Sequence, residues 1–321
     1  MDKNNEGNLI KDQSGKIIRD NIWGTIEQDT YRRDFTVNAL YYCPASKKIV
    51  GHKKGLRDIH QRNIVSIGDP IKRFSEDPVR GLRAIRFSNK LKFKIDKKVK
   101  EAIYEKGYLL SNISNARLFD EFCKIFLSGM AEKNFNKLFS YNLNKYLIST
   151  EPEKNEFTKK LITESLRNTD IRIKNVQSVT PGFLIAALLW PELLEKSVMK
   201  NEINLRKFFR SMDVVLRKQQ KITAIPRKFH SYIKDIWVLQ LKLHSRIGKQ
   251  PYKTLRHPRF RAAYDFMLIR EKSAGGSKHL GKWWTNFQKN DDRLKFSLIN
   301  SLKEKDNQES FKTFGFSSEL R

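Results

Sequence analysis

The chain has 321 residues, with 64 Lys and Arg against 35 Asp and Glu, a formal charge of +29 and 39% hydrophobic residues. Its 21 Phe, 10 Tyr and 5 Trp can fill a packed core, which excludes general disorder, and the length fits about two domains. The charge excess requires a polyanionic partner, nucleic acid first and an anionic membrane surface second, while the longest apolar run, 183–190 closed by Pro191, is half the ~20 residues of a membrane span.

The N-terminus, MDKNNEGNLIKD, has no apolar segment of the kind a secretory signal carries. The two cysteines, Cys43 and Cys123, are far apart, which excludes a disulfide scaffold and a cysteine-rich zinc site and fits a reducing, cytoplasmic setting.

Residues 1–20 are polar and read as an exposed start. Over 31–42, Phe35, Ala39 and Leu40 share a helix-like face, with Asp29 or Thr30 as cap. Residues 49–51, 53–58 and 64–67 read as short strands and turns around glycines. At Ser75 the texture turns helical: Ser75 can cap, Glu76 and Asp77 suit a first turn, and Pro78 is tolerated there. Leu118, Phe119, Phe122, Ile125 and Phe126 form an amphipathic stripe. Helical patterning recurs over 157–168, 181–198 and 205–220, broken at Pro181, Pro191 and Pro226. Residues 271–279 read as a flexible connection, and the polar tail after 289 as loosely held. The expected fold is mainly α with a small α/β N-terminal portion (1–70), a helical neck (71–134), a helical basic body (135–288) and a tail (289–321).

Within 76–87, Arg80, Arg83 and Arg86 step by three along a helix and share one broad face, while Val79, Leu82 and Ile85 point inward. Guanidinium forks on one side of a packed helix suit phosphate, and an Asp beside them can read a nucleobase edge. A solvated basic face with Glu76 and Asp77 as caps is an equal reading. A second cluster is Arg32, Arg33 and Asp34, with Asn38 one helical turn later; adjacent Arg32 and Arg33 would project to different sides, and a surface salt-bridge group is its plain alternative.

From Arg206 to Arg261 there are 16 Lys and Arg against two acids, Asp213 and Asp235. Phe208, Phe209, Phe229, Tyr232, Trp237, Tyr252 and Phe260 interleave with them, the pattern of a groove for single-stranded RNA. Most of these aromatics are expected in the core, so the basic residues carry the RNA reading: Arg206, Lys207, Arg210, Arg217, Lys218, Arg256, Arg259 and Arg261. The six histidines have no metal-ligand spacing, and His257 beside Pro258 reads as a structural hydrogen-bonder.

RRDFTVNALYY (32–42) followed by IGDPIKRFSEDPVRGLRAIRF (67–87) resembles the class II nucleotidyltransferase superfamily, which holds bacterial poly(A) polymerases and CCA-adding tRNA nucleotidyltransferases. ISNARLFDEF (113–122), TPGFLIAALLWPELLE (180–195), IPRKFHSYIKDIWVLQLKL (225–243), HPRFRAAYDFMLIR (257–270) and KWW (282–284) extend the resemblance over about 20–288 and select the poly(A) branch. The resemblance implies that residues 1–70 are the C-terminal part of a nucleotidyltransferase head. It implies that Arg32 and Arg33 hold the triphosphate and ribose, that Asp34 is the motif's active-site acid, and that Asn38 braces the nucleotide. It further implies that Asp77 and Arg80 read the adenine edge with Arg83 and Arg86 in support, and that Arg73 matches a family arginine. The implied reaction is attack of an RNA 3′-hydroxyl on the α-phosphate of ATP with two Mg²⁺ ions, in the cytoplasm, without a membrane, on single-stranded 3′ ends. A partner RNA helicase or degradosome belongs to the same expectation.

The family's GGxxR turn and Asp-x-Asp pair do not occur in these 321 residues; Gly275-Gly276 is followed by Ser277-Lys278 and reads as a loop. Asp34 alone is a poor site for Mg²⁺, so no metal ligand set is expected in this chain. At 51–55, Gly51 and Lys54 stand where the family has an Asp and a Gly, although Gly55-Leu56-Arg57-Asp58 is intact. These departures leave a shortened coding sequence or a headless, non-catalytic RNA-binding derivative, and apolar surface exposed over 20–70. A tRNA nucleotidyltransferase is the other rival.

Overall fold

The computed structural model describes residues 10–11, 17–19, 25–199, 202–275 and 279–303. Most of the expected exposed start (1–20), part of the 271–279 connection and the end of the tail therefore lie outside the described residues. The chain divides into two compact units, Met1–Lys106 and Gly107–Arg321. It is mostly helical, with small N-terminal β elements.

In the first unit, β1 (Ile10–Lys11) and β2 (Ile17–Arg19) pair antiparallel. Helix α1 (Ile26–Arg32) is opened by a capping box between Thr25 and Gln28, which satisfies two otherwise orphaned amides. The helix expected over 31–42 does not form: α1 ends at Arg32, a 3-10 turn spans Thr36–Asn38, and β3 (Leu40–Cys43) follows. The cause is tertiary. Nη2 of Arg73 reaches the carbonyls of Tyr31, Arg32 and Arg33 at 3.3, 3.3 and 2.9 Å and closes the helix end from outside. The segment then zips onto residues 65–67: Phe35 bridges Ser66, the Thr36 amide donates to Val65 and the Ile67 amide to Asp34.

Strand β3 pairs antiparallel with β4 (Lys48–Gly51), bringing Tyr42 opposite Ile49. Both are more than half exposed, as is Tyr31, in line with the apolar surface expected over 20–70. Residues expected as a turn form helix α2 (Gly55–His60). Strand β5 (Asn63–Ile64) pairs parallel with β6 (Lys94–Ile95). Between them lie α3 (Pro70–Glu76), capped by Asp69, and α4 (Val79–Leu91); α5 (Lys97–Lys106) closes the unit. Ser75 does not start a helix: it lies in the last turn of α3, where its hydroxyl donates to the Ile71 carbonyl. Pro78 separates the two helices, because its ring disfavours the helical conformation at Asp77.

The second unit begins with a 3-10 stretch (Gly107–Asn112), α6 (Asn115–Phe126) carrying the expected apolar stripe, and α7 (Ala131–Ser140). Helix α8 (Glu156–Lys174) supplies Asp170, whose carboxylate accepts from the Ala131 and Glu132 amides at the start of α7. Helix α9 (Pro181–Ser197) is nearly all buried and packs on α8, on α10 (Leu205–Gln220) and on α11 (Arg227–His244). A short hairpin, β7 (Val198–Met199) with β8 (Glu202–Ile203), joins α9 to α10.

Pro191 does not break α9. Its missing amide would have met the Ala187 carbonyl, and the helix runs on through a stretch, 184–194, that is wholly buried; the flanking carbonyls of Ala186 and Leu188 also accept from Trp237 Nε1 at 2.9 Å and Thr150 Oγ1 at 2.8 Å. Helices α12 (Gln250–Leu255), α13 (Phe260–Ala274), α14 (His279–Lys289) and α15 (Asp292–Lys303) complete the described chain. Two sequence expectations are corrected here: 271–274 belong to α13, and the start of the tail is a helix with Ile299 buried. Trp283, Trp284 and Phe287 form a core with Leu243, Phe260 and Tyr264, which gives α15 an apolar surface to fold on.

Candidate nucleotide and RNA site

In α4 the period-three reading holds. Val79, Leu82 and Ile85 are fully buried, while Arg80, Arg83 and Arg86 lie on the partly open side. Asp34, fixed by its backbone bond to Ile67, projects at the same helix. Its Oδ1 accepts from Arg80 Nε and its Oδ2 from Arg83 Nη1, both at 2.9 Å. Side-chain exposure is 11% for Arg80 and 12% for Asp34, so solvent weakens this pair little. Arg80 Nη1 also donates to the Arg73 carbonyl at 2.7 Å. Burial and the charge of Arg80 lower the pKa of Arg73.

Asp77 lies at the mouth of α4. Its Oδ1 accepts from the Val79 amide at 3.3 Å, and its Oδ2 is 4.0 Å from Arg83 Nη1. The site therefore holds Asp77, partly exposed, beside two guanidiniums that a second carboxylate, Asp34, bonds on its two oxygens.

The other expected nucleotide ligands are placed differently. Arg32 and Arg33 do not project to opposite sides: Arg33 lies past the helix end, and both side chains reach Asp29. The Tyr41 hydroxyl also donates to Asp29, and these hydrogen bonds, that of Tyr41 foremost, lower the Asp29 pKa to about 2. Asn38 is not one helical turn from Asp34; it holds its own 3-10 turn by accepting from the Phe35 amide. Arg86 stacks over Phe87 at 4.7 Å. Sequence reasoning named Asp58 in the intact 55–58 stretch but missed its role: it is buried and accepts from Thr36 Oγ1 at 2.8 Å, and nothing in local spacing links 36 to 58.

Two glycines shape the loop beside this site. Gly51 has φ +127°, and a Cβ there would lie 2.3 Å from the Ala39 carbonyl oxygen. A Cβ on Gly55 would lie 2.9 Å from the Thr36 carbonyl oxygen.

For Mg²⁺ the described residues do not fit. Both Asp34 oxygens face guanidiniums, and among the described residues no group of three His, Cys, Asp or Glu converges.

In the second unit, Arg206, Lys207, Arg210, Arg217 and Lys218 are exposed on the face of α10 opposite buried Phe208, Met212 and Val215. Lys218 pairs with Glu192 at 3.1 Å. Arg256, Arg259 and Arg261 form a second exposed group between α12 and α13. As expected, Phe208, Trp237 and Phe260 are core, whereas Phe209 is 47% exposed. His257 accepts from the Arg259 amide, a structural role as read from sequence.

Three family descriptions match in chain order: Poly A polymerase head domain (3–65), Probable RNA and SrmB- binding site of polymerase A (92–157), and Polymerase A arginine-rich C-terminus (200–313). The Poly(A) polymerase I of Haemophilus influenzae is 38% identical over 309 residues, covering 93% of this chain and 68% of that protein. The chain belongs to the poly(A) polymerase I family.

The chain spans about two thirds of such relatives; against the Salmonella typhi poly(A) polymerase I it is 36% identical and covers 65% of that protein. A CCA-adding enzyme of Lactococcus lactis is 34% identical over 160 residues, half of this chain. The fold is shared with the solved Thermotoga maritima CCA-adding enzyme complexed with tRNA, at TM-score 0.53 and 19% identity over 87% of this chain and 74% of that one. Family members are nucleotidyltransferases that add nucleotides to RNA 3′ ends. Among the described residues, no helix is long and apolar enough to cross a membrane.

Proposed function

We propose that this chain serves 3′ adenylation of RNA, transferring AMP from ATP to the 3′-hydroxyl with release of pyrophosphate. The observation that carries the reading is the pair of 2.9 Å bonds by which Asp34 joins the 32–38 segment to Arg80 and Arg83. In this reading Asp77 accepts from the base's exocyclic amino group and the α4 guanidiniums donate to its ring nitrogen. Asp34 acts behind them as a positioning residue. Arg32 and Arg33, exposed and near the end of α1, are the cations that meet the triphosphate.

Adenine and cytosine present the same order of amino donor and ring acceptor on this edge. Base choice therefore depends on size and depth rather than on the Asp–Arg pair alone, and a CCA-adding activity is the rival reading. The basic face of α10 and the 256–261 group would track the RNA backbone. A cytoplasmic setting belongs to the same reading. So does a protein partner such as a helicase or degradosome, and the family description of 92–157 as an RNA and SrmB- binding site supports one.

The test incubates the 321-residue chain with an oligo(A) RNA, Mg²⁺ and either ATP or CTP. AMP incorporation well above CMP incorporation is expected. Comparable CMP incorporation favours the tRNA-type reading. RNA binding without turnover of either nucleotide overturns the catalytic reading and leaves a non-catalytic RNA binder.

A further inference from the structure

Three stretches distant in sequence meet at one small cavity in the second unit. Thr180 and Phe183 come from the start of α9, Tyr232 from α11, and Arg259, Arg261 and Asp265 from the start of α13. The cavity holds about 200 Å³, room for a nucleobase or a phosphate but not for a nucleoside triphosphate.

Its floor is fixed. Arg172 of α8 donates to Asp265 Oδ2 at 3.2 Å and through Nε and Nη2 to the Ser178 carbonyl at 3.3 Å. Asp265 also takes Arg261 Nε at 3.1 Å, but the Arg261 side chain remains 72% exposed. The guanidinium of Arg259 lies above Tyr232, 4.8 Å from the ring centroid. Three guanidiniums against one carboxylate leave the cavity with an excess of two positive charges.

The aromatic wall depends on a glycine. A Cβ on Gly182 would lie 2.9 Å from Tyr232 Cδ1 and 3.1 Å from Phe229 Cδ1, so any larger residue pushes these rings from the first turn of α9. The result is an aromatic and guanidinium stack beside hydroxyl groups, under a cationic rim.

We propose that this cavity is a subsite for one unpaired nucleotide of the bound RNA. The proposal rests on the RNA reading above and goes beyond it in naming the place. The base enters against Phe183 and the Arg259–Tyr232 stack, which an unpaired nucleotide can do because its base is free to leave the strand's own stacking. The adjoining backbone phosphate bridges Arg259 and Arg261, which present their forks at the rim. Arg172, spent on Asp265 and Ser178, holds the floor rather than the ligand.

The experiment photocrosslinks the full chain to a 15-nucleotide oligo(A) RNA carrying one 5-iodouridine and maps the adducts by mass spectrometry. Adducts on Tyr232 or Phe183 are expected. Arg259→Ala combined with Arg261→Ala is expected to weaken oligo(A) binding at least tenfold at 100 mM salt, to lower the salt slope by about 1 for the one phosphate lost, and to abolish those adducts. Its thermal melt should not change. Tyr232→Leu, which keeps an apolar wall without a ring, should weaken binding several-fold.

Adducts confined to other peptides, with unchanged affinity in the double variant, overturn the subsite and leave the RNA reading intact. Competition by millimolar free AMP for the adducts overturns it too, in favour of a free-nucleotide site. A chain that fails to bind oligo(A) at 50 mM salt overturns the RNA reading, and the subsite falls with it.

Discussion

Arg80 and Asp34 lie 46 positions apart in sequence, and Nε of one meets Oδ1 of the other at 2.9 Å with both side chains almost closed to solvent. The bond links the extended segment after α1 to the arginine face of α4. Removing its acceptor takes the closest anionic partner from two guanidiniums at once, since Arg83 uses the other oxygen. Asp34→Ala is expected to destabilise the N-terminal unit by about 2 kcal/mol, measured by urea denaturation. It should also weaken ATP binding. Asp34→Asn, which keeps only one good acceptor, should lie between. An unchanged midpoint in the alanine variant would show that the pair is not structural.

Arg73 closes the end of α1 by bonding three successive carbonyls through Nη2. Arg73→Ala should speed amide exchange across residues 31–36 and cost about 1–2 kcal/mol. Arg73→Lys should restore little, because the shorter lysine stem does not bring its ammonium to the Nη2 position. Hydrogen exchange read by mass spectrometry distinguishes this local effect from global unfolding.

Gly51 stands where the related motif has an aspartate, and its φ of +127° is a conformation that L side chains rarely adopt. Gly51→Ala places a Cβ against the Ala39 carbonyl oxygen and should cost about 2 kcal/mol, read as a lower melting temperature of the N-terminal unit. Gly248→Ala, also at positive φ but with nothing within 4 Å of the added carbon, is the control and should cost less.

His244 ends α11 with its Nε2 shut off from solvent. Burial, followed by the nearby charges of Arg270 and Arg246, lowers its pKa from 6.5 to about 3. Below pH 6.5 the unfolded chain binds a proton that the folded chain refuses. Stability contributed by the neutral ring is thus complete above pH 6.5 and is lost as pH falls toward 3. The slope is about 1.4 kcal/mol per pH unit. Between pH 7 and pH 5 the second unit should lose about 2 kcal/mol, followed by chemical denaturation. In His244→Phe this slope should flatten.

On the proposed RNA reading, the exposed arginines of α10 meet the RNA backbone through charge. Arg206→Ala, Arg210→Ala and Arg217→Ala together should weaken single-stranded RNA binding without sequence preference. The salt slope should fall by about 1 for each phosphate that the variant no longer neutralises. Fluorescence anisotropy across 50–200 mM salt measures this, and an unchanged slope would show that this face does not meet the RNA.

Much of the helical content was readable from residue order because burial on a helix repeats over short distances. The inward row of Val79, Leu82 and Ile85, the stripe of α6 and the basic face of α10 each lie within one helix, where spacing alone sets the face. The same order of residues carries the motifs on which the family resemblance rests.

What residue order could not supply were interactions between distant segments. The apparent helix over 31–42 stops at Arg32 because Arg73 binds its final carbonyls, and Asn38 therefore turns to its own loop. Pro191 stays within α9 where the helix is buried throughout 184–194 against α8, α10 and α11. The polar pattern after 289 forms α15 because the Trp283–Trp284 core offers it an apolar surface. Local propensity sets the supply of helical faces, but which donor meets which acceptor depends on closing loops of many residues. Only packing of the whole unit decides that, because isolated segments gain too little free energy to hold such bonds.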